Sequence, residues 1–146
     1  MKKMFRYIIV VLMLVMVSAT THAQCKGFAK KICTIELEPY IHDGNFHASV
    51  FTEGEEADLY KTFYSGTDYR IAVCGSETLP NIEFRIIDSN NKELFSNKAR
   101  NYARTYDFRV ETSQQLRIVV KVLSSGKGAT DVATGCVAIL FGIKDK

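Results

Sequence analysis

The sequence predicts an all-β protein: an antiparallel two-sheet β-sandwich, jelly-roll-like, of about eight strands. Three observations predict it. Apolar residues recur at every second position through most of the chain after residue 33, the period of a strand that buries one face. Polar turn clusters separate these runs at near-regular intervals. No amphipathic stretch of ten or more residues argues for a long helix. One-sided alternation favours two packed sheets over a single open one.

Residues 1–23 come first and carry the three-part layout of a secretory signal peptide. Lys2, Lys3 and Arg6 make a basic start, residues 7–17 (YIIVVLMLVMV) are apolar, and Thr21 and Ala23 stand where a signal peptidase reads. The apolar run is eleven residues long, against about 20 for a membrane span. Gln24 before Cys25, with His22 two residues further back, does not fit a lipidated cysteine. Cleavage after Ala23 leaves residues 24–146 as one β-sandwich domain, periplasmic or secreted. The short Lys-Lys start resembles bacterial signals.

Residues 25–32 (CKGFAKKI) read as a helical turn or a loop. Cys33, Ile35 and Leu37 then alternate with Thr34, Glu36 and Glu38 as a first strand. After the turn His42-Asp43-Gly44-Asn45, Phe46, Ala48 and Val50 alternate. Residues 59–64 (LYKTFY) form an aromatic strand that Ser65-Gly66-Thr67 breaks, and Tyr69, Ile71 and Val73 continue the pattern. Ile82, Phe84 and Ile86 oppose Glu83 and Arg85, and Asp88-Ser89-Asn90-Asn91 is a turn cluster. A short strand at 93–96 follows, then a helical turn or crossover at 101–104, then Tyr106, Phe108 and Val110. Leu116, Ile118, Val120 and Val122 make the cleanest alternating face. Residues 136–143 (CVAILFGI) are almost wholly apolar, as in a strand covered on both faces.

The charge balance excludes a class of partners. The chain has 19 Lys+Arg and 16 Asp+Glu; Lys2, Lys3 and Arg6 leave with the signal, so 24–146 is formally neutral. Nucleic-acid binding, which needs a basic domain, gains no support. Residues 34–83 hold ten acids and two bases, and 84–146 eleven bases and six acids. Such a split is met either by acidic and basic strands pairing within a sheet or by a polarised surface.

Cys25, Cys33, Cys74 and Cys136 form no CxxC. In an exported chain four such residues read as two disulfides, with three possible pairings. Alternation turns Cys74 and Cys136 away from the sandwich interior, and the segment before Thr34 needs a bridge to the body to anchor it.

Residues 59–143 resemble the jelly-roll module of the pre-peptidase C-terminal type, found after many secreted bacterial peptidases. The residues that carry the resemblance are the aromatic strand, Gly66, Tyr69 to Val73, Ile82 to Asp88, the turn before Leu94, and Leu116, Ile118, Val120 and Val122. It implies a jelly roll. Where that family often has an Asp pair before the second block, this chain reads Asn81 and Glu83, a departure at the positions tied to calcium. Residues 39–44 (PYIHDG) and 53–59 (EGEEADL) are similar to small exported bacterial β-sandwich proteins of unknown function.

His42 and His47, with Glu55 the nearest of several carboxylates, are the metal candidates, since imidazole and carboxylate suit a transition metal. Asp-Gly-Asn is also ordinary turn chemistry, and EGEEAD lacks calcium-loop spacing. No GxSxG is present, and Cys74-Gly75-Ser76 reads as half of a disulfide before it reads as a nucleophile. The candidate binding surface is Tyr60, Tyr64 and Tyr102 with Arg100 and Arg104, the arginines lying in the basic run 98–104 (KARNYAR). These features favour an exported, non-catalytic binding or accessory module without a cofactor, its partner an envelope protein or polysaccharide. An inhibitor or adaptor for a secreted enzyme is one form of that reading. A small hydrolase or metal-dependent enzyme using His42, His47 and nearby carboxylates is the alternative.

Overall fold

The computed structural model describes residues 1–15, 20–126, 128 and 130–144. Two helices, α1 (Lys2–Val15) and α2 (Thr20–Lys31), precede nine strands among the described residues. Of residues 1–23, which the sequence led us to expect as a signal peptide, residues 16–19 lie outside the described residues, and the Ala23–Gln24 bond lies within α2. No described helix is long and apolar enough to cross a membrane.

The strands are β1 (Ile41–His42), β2 (His47–Thr52), β3 (Glu56–Phe63), β4 (Thr67–Gly75), β5 (Ile82–Ile87), β6 (Glu93–Ser96), β7 (Thr105–Val110), β8 (Gln114–Val122) and β9 (Thr134–Ile143). One sheet runs β1-β9-β4-β7 with β2 also on β9, and the other runs β3-β8-β5-β6. All pairings are antiparallel. Successive strands from β2 to β5 alternate between the sheets, which is the doubly Greek-keyed order of a jelly roll. The expected fold class is the observed one.

Alternation sorts each strand between two cores. Tyr69, Ile71 and Val73 of β4 and Val137 and Phe141 of β9 face the other sheet, meeting Phe84, Ile86, Leu116, Ile118, Val120 and Val122. Phe108 and Tyr106 pack on the rim of this core. Ala72, Cys74, Ala138 and Leu140 point to the outer face of the first sheet and are buried there by α2 and the segment after it. The fully apolar β9 is therefore a strand covered on both faces. Val119, on the outer face of the second sheet, is buried without a covering helix. Ion pairs cross that face: Arg85 to Glu56 at 3.2 Å and Arg117 to Asp58 at 3.8 Å. Asp68 meets Arg109 at 3.2 Å and Asp107 meets Arg70 at 2.6 Å in the other sheet. In three of these four pairs an acid of the first half meets a base of the second; Arg70–Asp107 runs the other way.

Four local expectations are corrected. Residues 20–31 form a helix, because Cys25 and Ala29 stand four apart on one face with the lysines outside; Lys30 and Lys31 also suit the helix C-terminus. Cys33–Leu37 is a 3-10 helix in place of a strand. Cys33 and Leu37 are buried while Ile35 is 66% exposed, so three alternating apolar residues concealed an i, i+4 pair. The His42–Asn45 turn does not reverse the chain: β1 and β2 pair with the same strand, Ile41 opposite Ile143 and His47 opposite Ile139. It is a bulge in one edge strand. Residues 56–58, weighed in the sequence only as part of the acidic stretch EGEEAD and outside the strand expected at 59–64, begin β3.

A cleft presenting Tyr102 and Arg104

The connection from β6 to β7 crosses between the sheets, and Asn97 fixes its path. Ser96 caps the short 3-10 helix Asn97–Arg100. Asn97 is the single buried polar residue among the described residues, 1% exposed, and its amide meets three backbone groups. Its Oδ1 accepts from the Phe84 N–H at 2.9 Å, and its Nδ2 donates to the carbonyls of Ile82 at 2.9 Å and Ala103 at 3.1 Å. Its own carbonyl accepts from the Tyr102 N–H at 3.0 Å. These bonds hold two successive left-handed residues, Asn101 at φ 52° and Tyr102 at φ 55°. For tyrosine that conformation is strained and persists only where its surroundings impose it.

The loop's return strand begins with the Arg104 carbonyl accepting from the Val73 N–H at 2.8 Å. Opposite it, the β4–β5 loop is tied to β9: the Ser76 Oγ accepts from the Cys136 N–H at 2.7 Å and the Ser76 N–H donates to the Cys136 carbonyl at 2.9 Å. Gly75 lets the Ile82 side chain pack close to the backbone there, where a Cβ would force the end of that side chain to move. Between the loops lies a cleft of about 270 Å³, bordered by Ser76, Glu77, Leu79, Ile82, Tyr102 and Arg104. Its lining is mixed, with the apolar Leu79 and Ile82 beside the charged residues Glu77 and Arg104. Arg104 also reaches Glu36 at 3.3 Å, linking the cleft to the segment after α2. Such a site can grip a partner's side chain by apolar contact and a charge-assisted hydrogen bond.

The five residues of the expected surface divide. Arg100, Tyr102 and Arg104 belong to this one loop, with Arg100 stacked over the Phe95 and Tyr106 rings at 5.5 and 5.9 Å. Tyr60 and Tyr64, 57% and 64% exposed, lie on and just after β3, at the opposite edge of the second sheet from β6. Asn97 escaped the sequence reading. Its only signal was an asparagine at a strand end before a basic run, which ordinary turn chemistry covers equally well.

His42, His47 and Glu55 do not converge. His42 Nε2 lies 3.0 Å from the Asn45 carbonyl, and His47 packs edge-on against Phe141. Glu55, beyond the far end of β2, accepts from the Thr52 N–H at 2.6 Å. Among the described residues no three of His, Cys, Asp and Glu gather as a metal would require. The bulge instead holds an ion pair across the open edge of the sandwich: Asp43 meets Lys61 of β3 at 2.7 Å, and that ammonium lies over the Phe141 ring at 4.5 Å. Burial pushes the Asp43 carboxyl up, but the hydrogen bonds from Lys61 and Asn45 outweigh it and hold the group below its ordinary range. Burial likewise lowers His47, with Lys61 and His42 adding to it against Asp43.

One disulfide is present, Cys25–Cys136, joining α2 to β9 over a separation of 111 residues. It is the anchoring of the N-terminal segment to the body that the sequence called for. Cys33 and Cys74 are thiols in this structure, both buried.

No family model matches the chain, and no curated protein matches it as a relative. The chain is similar in structure to the periplasmic inhibitor of g-type lysozyme PliG from Aeromonas hydrophila, at a TM-score of 0.51 and 12% identity over 73% of this chain and 90% of that one. The PliG of Salmonella Typhimurium matches 68% of this chain and 86% of its own at 10% identity and a TM-score of 0.42. At these identities the likeness is one of fold.

Proposed function

We propose that this protein is an exported, non-catalytic β-sandwich module that binds and inhibits a wall-degrading enzyme of the lysozyme class, with the Tyr102–Arg104 cleft as its contact. The observation that carries the reading is the strained loop at Asn101 and Tyr102, which Asn97 holds in place beside an open cleft. A rigid loop loses little freedom on binding, which is how inhibitors gain affinity. The fold likeness to a periplasmic lysozyme inhibitor supplies the partner class. The disulfide and the signal-like residues 1–23 support export. The hydrolase reading draws no support from Glu55, which lies beyond the far end of β2 from His42 and His47.

Clearing of a bacterial cell-wall suspension by a g-type lysozyme tests this directly. Stoichiometric inhibition is expected, with Tyr102→Ala and Arg104→Ala each weakening it by about tenfold or more, as for interface anchors. Absence of inhibition and of binding by calorimetry would remove the lysozyme partner. Inhibition untouched by either substitution would move the contact elsewhere, the Tyr60 and Tyr64 edge being next.

A further inference from the structure

We infer that Cys33 and Cys74 close a second disulfide, nested within Cys25–Cys136, in the exported protein. Both side chains are fully buried, at 0% and 1% exposure, in the small core between α2 and the first sheet. Their neighbours there are Ala29, Ala72, Ala138 and Leu140. The alanines let the helical segment approach the sheet closely, and a disulfide needs Cα atoms about 4.4–6.8 Å apart. The same segment already meets that requirement at its other end, where Cys25 and Cys136 have their Cα atoms 5.2 Å apart.

The register extends the relation. Cys74 of β4 stands opposite Ala138 of β9, two residues along from Cys136. The buried ridge Cys25, Ala29, Cys33 runs over these strands, so its first cysteine meets Cys136 and its last meets Cys74. The two side chains share this buried core and lie within reach of one another. That proximity and burial push the Cys74 thiol far above its ordinary range, so it is no nucleophile in the folded state. No carboxylate or imidazole joins the pair as a metal ligand among the described residues.

The chemistry is exchange with the disulfide of a thiol oxidant in the receiving compartment. One cysteine's thiolate attacks that disulfide, forming a mixed disulfide and releasing one oxidant thiol. The second cysteine then attacks the mixed disulfide, the Cys33–Cys74 bond forms, and the oxidant leaves as a dithiol carrying both electrons. Because neither sulfur is reachable once α2 has docked, the bond closes before docking.

The inference rests on the export reading, and the test separates the two. Each cysteine falls in its own tryptic peptide, so pairing can be read without ambiguity. The full chain is recovered from a bacterial periplasm, denatured, alkylated without reductant, digested and mapped by mass spectrometry. In parallel, reduced full chain is refolded in a glutathione redox buffer and mapped in the same way. The expected result is no alkylated cysteine, peptide 32–61 joined to 71–85, and the peptide ending at Lys26 joined to 128–144. Cys33→Ala should then raise the count from zero to one thiol per chain. An intact Cys25–Cys136 bridge with two alkylated thiols at Cys33 and Cys74, or crossed pairing, overturns the inference. A chain absent from the periplasmic fraction, with both bridges formed on refolding, would count against export and for the pairing.

Discussion

Replacing Asn97 by alanine should unfold this protein more readily than its single position on a loop suggests. The substitution leaves three backbone groups without partners: the Phe84 N–H and the carbonyls of Ile82 and Ala103. An unsatisfied buried group costs about 1–3 kcal/mol. Phe84 is fully buried and bears that cost in full, whereas Ile82 borders the cleft and water can reach its carbonyl in part. The total comes to about 2–4 kcal/mol by these magnitudes. For a domain of this size each kcal/mol lowers Tm by about 4 °C, so the fall should be about 8–16 °C. The chain has no tryptophan, so the melt is followed by far-UV circular dichroism and by tyrosine near-UV signals. Asn97→Asp is the sharper control. It keeps the acceptor for Phe84 but faces two carbonyls with a carboxylate, so its loss should equal or exceed that of alanine. An alanine variant within about 0.5 kcal/mol of wild type, the range of surface substitutions, would falsify the assignment.

Other expectations follow from the two cores and the termini. Leu116→Ala should cost about 2–5 kcal/mol in urea unfolding, since the side chain is 2% exposed between the sheets. Reducing Cys25–Cys136 should lower Tm clearly, because the loop it closes is long and such bridges are worth about 2–5 kcal/mol. Stability should fall on acidification in two windows. His47 has a lowered folded pKa, so its contribution is present above the unfolded value of about 6.5 and is lost as pH falls below it. Asp43 is lowered too, so its contribution is present above the ordinary carboxylate range and is lost below about pH 4. His47→Gln should flatten the upper window and Asp43→Asn the lower, by thermal melts across pH. Intact-mass measurement of the exported protein should give Gln24 as the first residue; retained residues 1–23 or an acylated Cys25 would refute the signal reading.

The sandwich was legible because period-2 alternation is a local signal that long-range pairing only confirms. Leu116, Ile118, Val120 and Val122 name their own core without reference to any neighbour. The helix over the outer face was not legible, because CKGFAKKI holds too few apolar residues to show a period. Its buried positions are Cys25 and Ala29, small residues whose burial depends on a sheet far along the chain. The Asp43 bulge was misread for a similar reason: Asp-Gly-Asn states that the chain bends, and only the shared partner β9 shows that it continues in the same direction. Among the residues of the proposed cleft, Tyr102 and Arg104 lie in the basic aromatic run that the sequence singled out. Asn97 was not singled out, since its importance lies in three carbonyl and amide positions that the fold supplies.

The bridge between Cys25 and Cys136 imposes an order on maturation. A chain threaded through a membrane from its N-terminus presents its cysteines as 25, 33, 74 and 136. An oxidant acting on whatever has emerged meets Cys25 with Cys33 first and Cys74 next, and Cys136 arrives only with β9. That strand is also the one β1, β2 and β4 pair with, so the first sheet cannot assemble ahead of it. Sequential oxidation therefore traps wrong partners, and the native bond requires either that oxidation wait or that early bonds be reshuffled. Maturation of this protein should accordingly depend on a disulfide isomerase more than on the oxidase that makes the bonds.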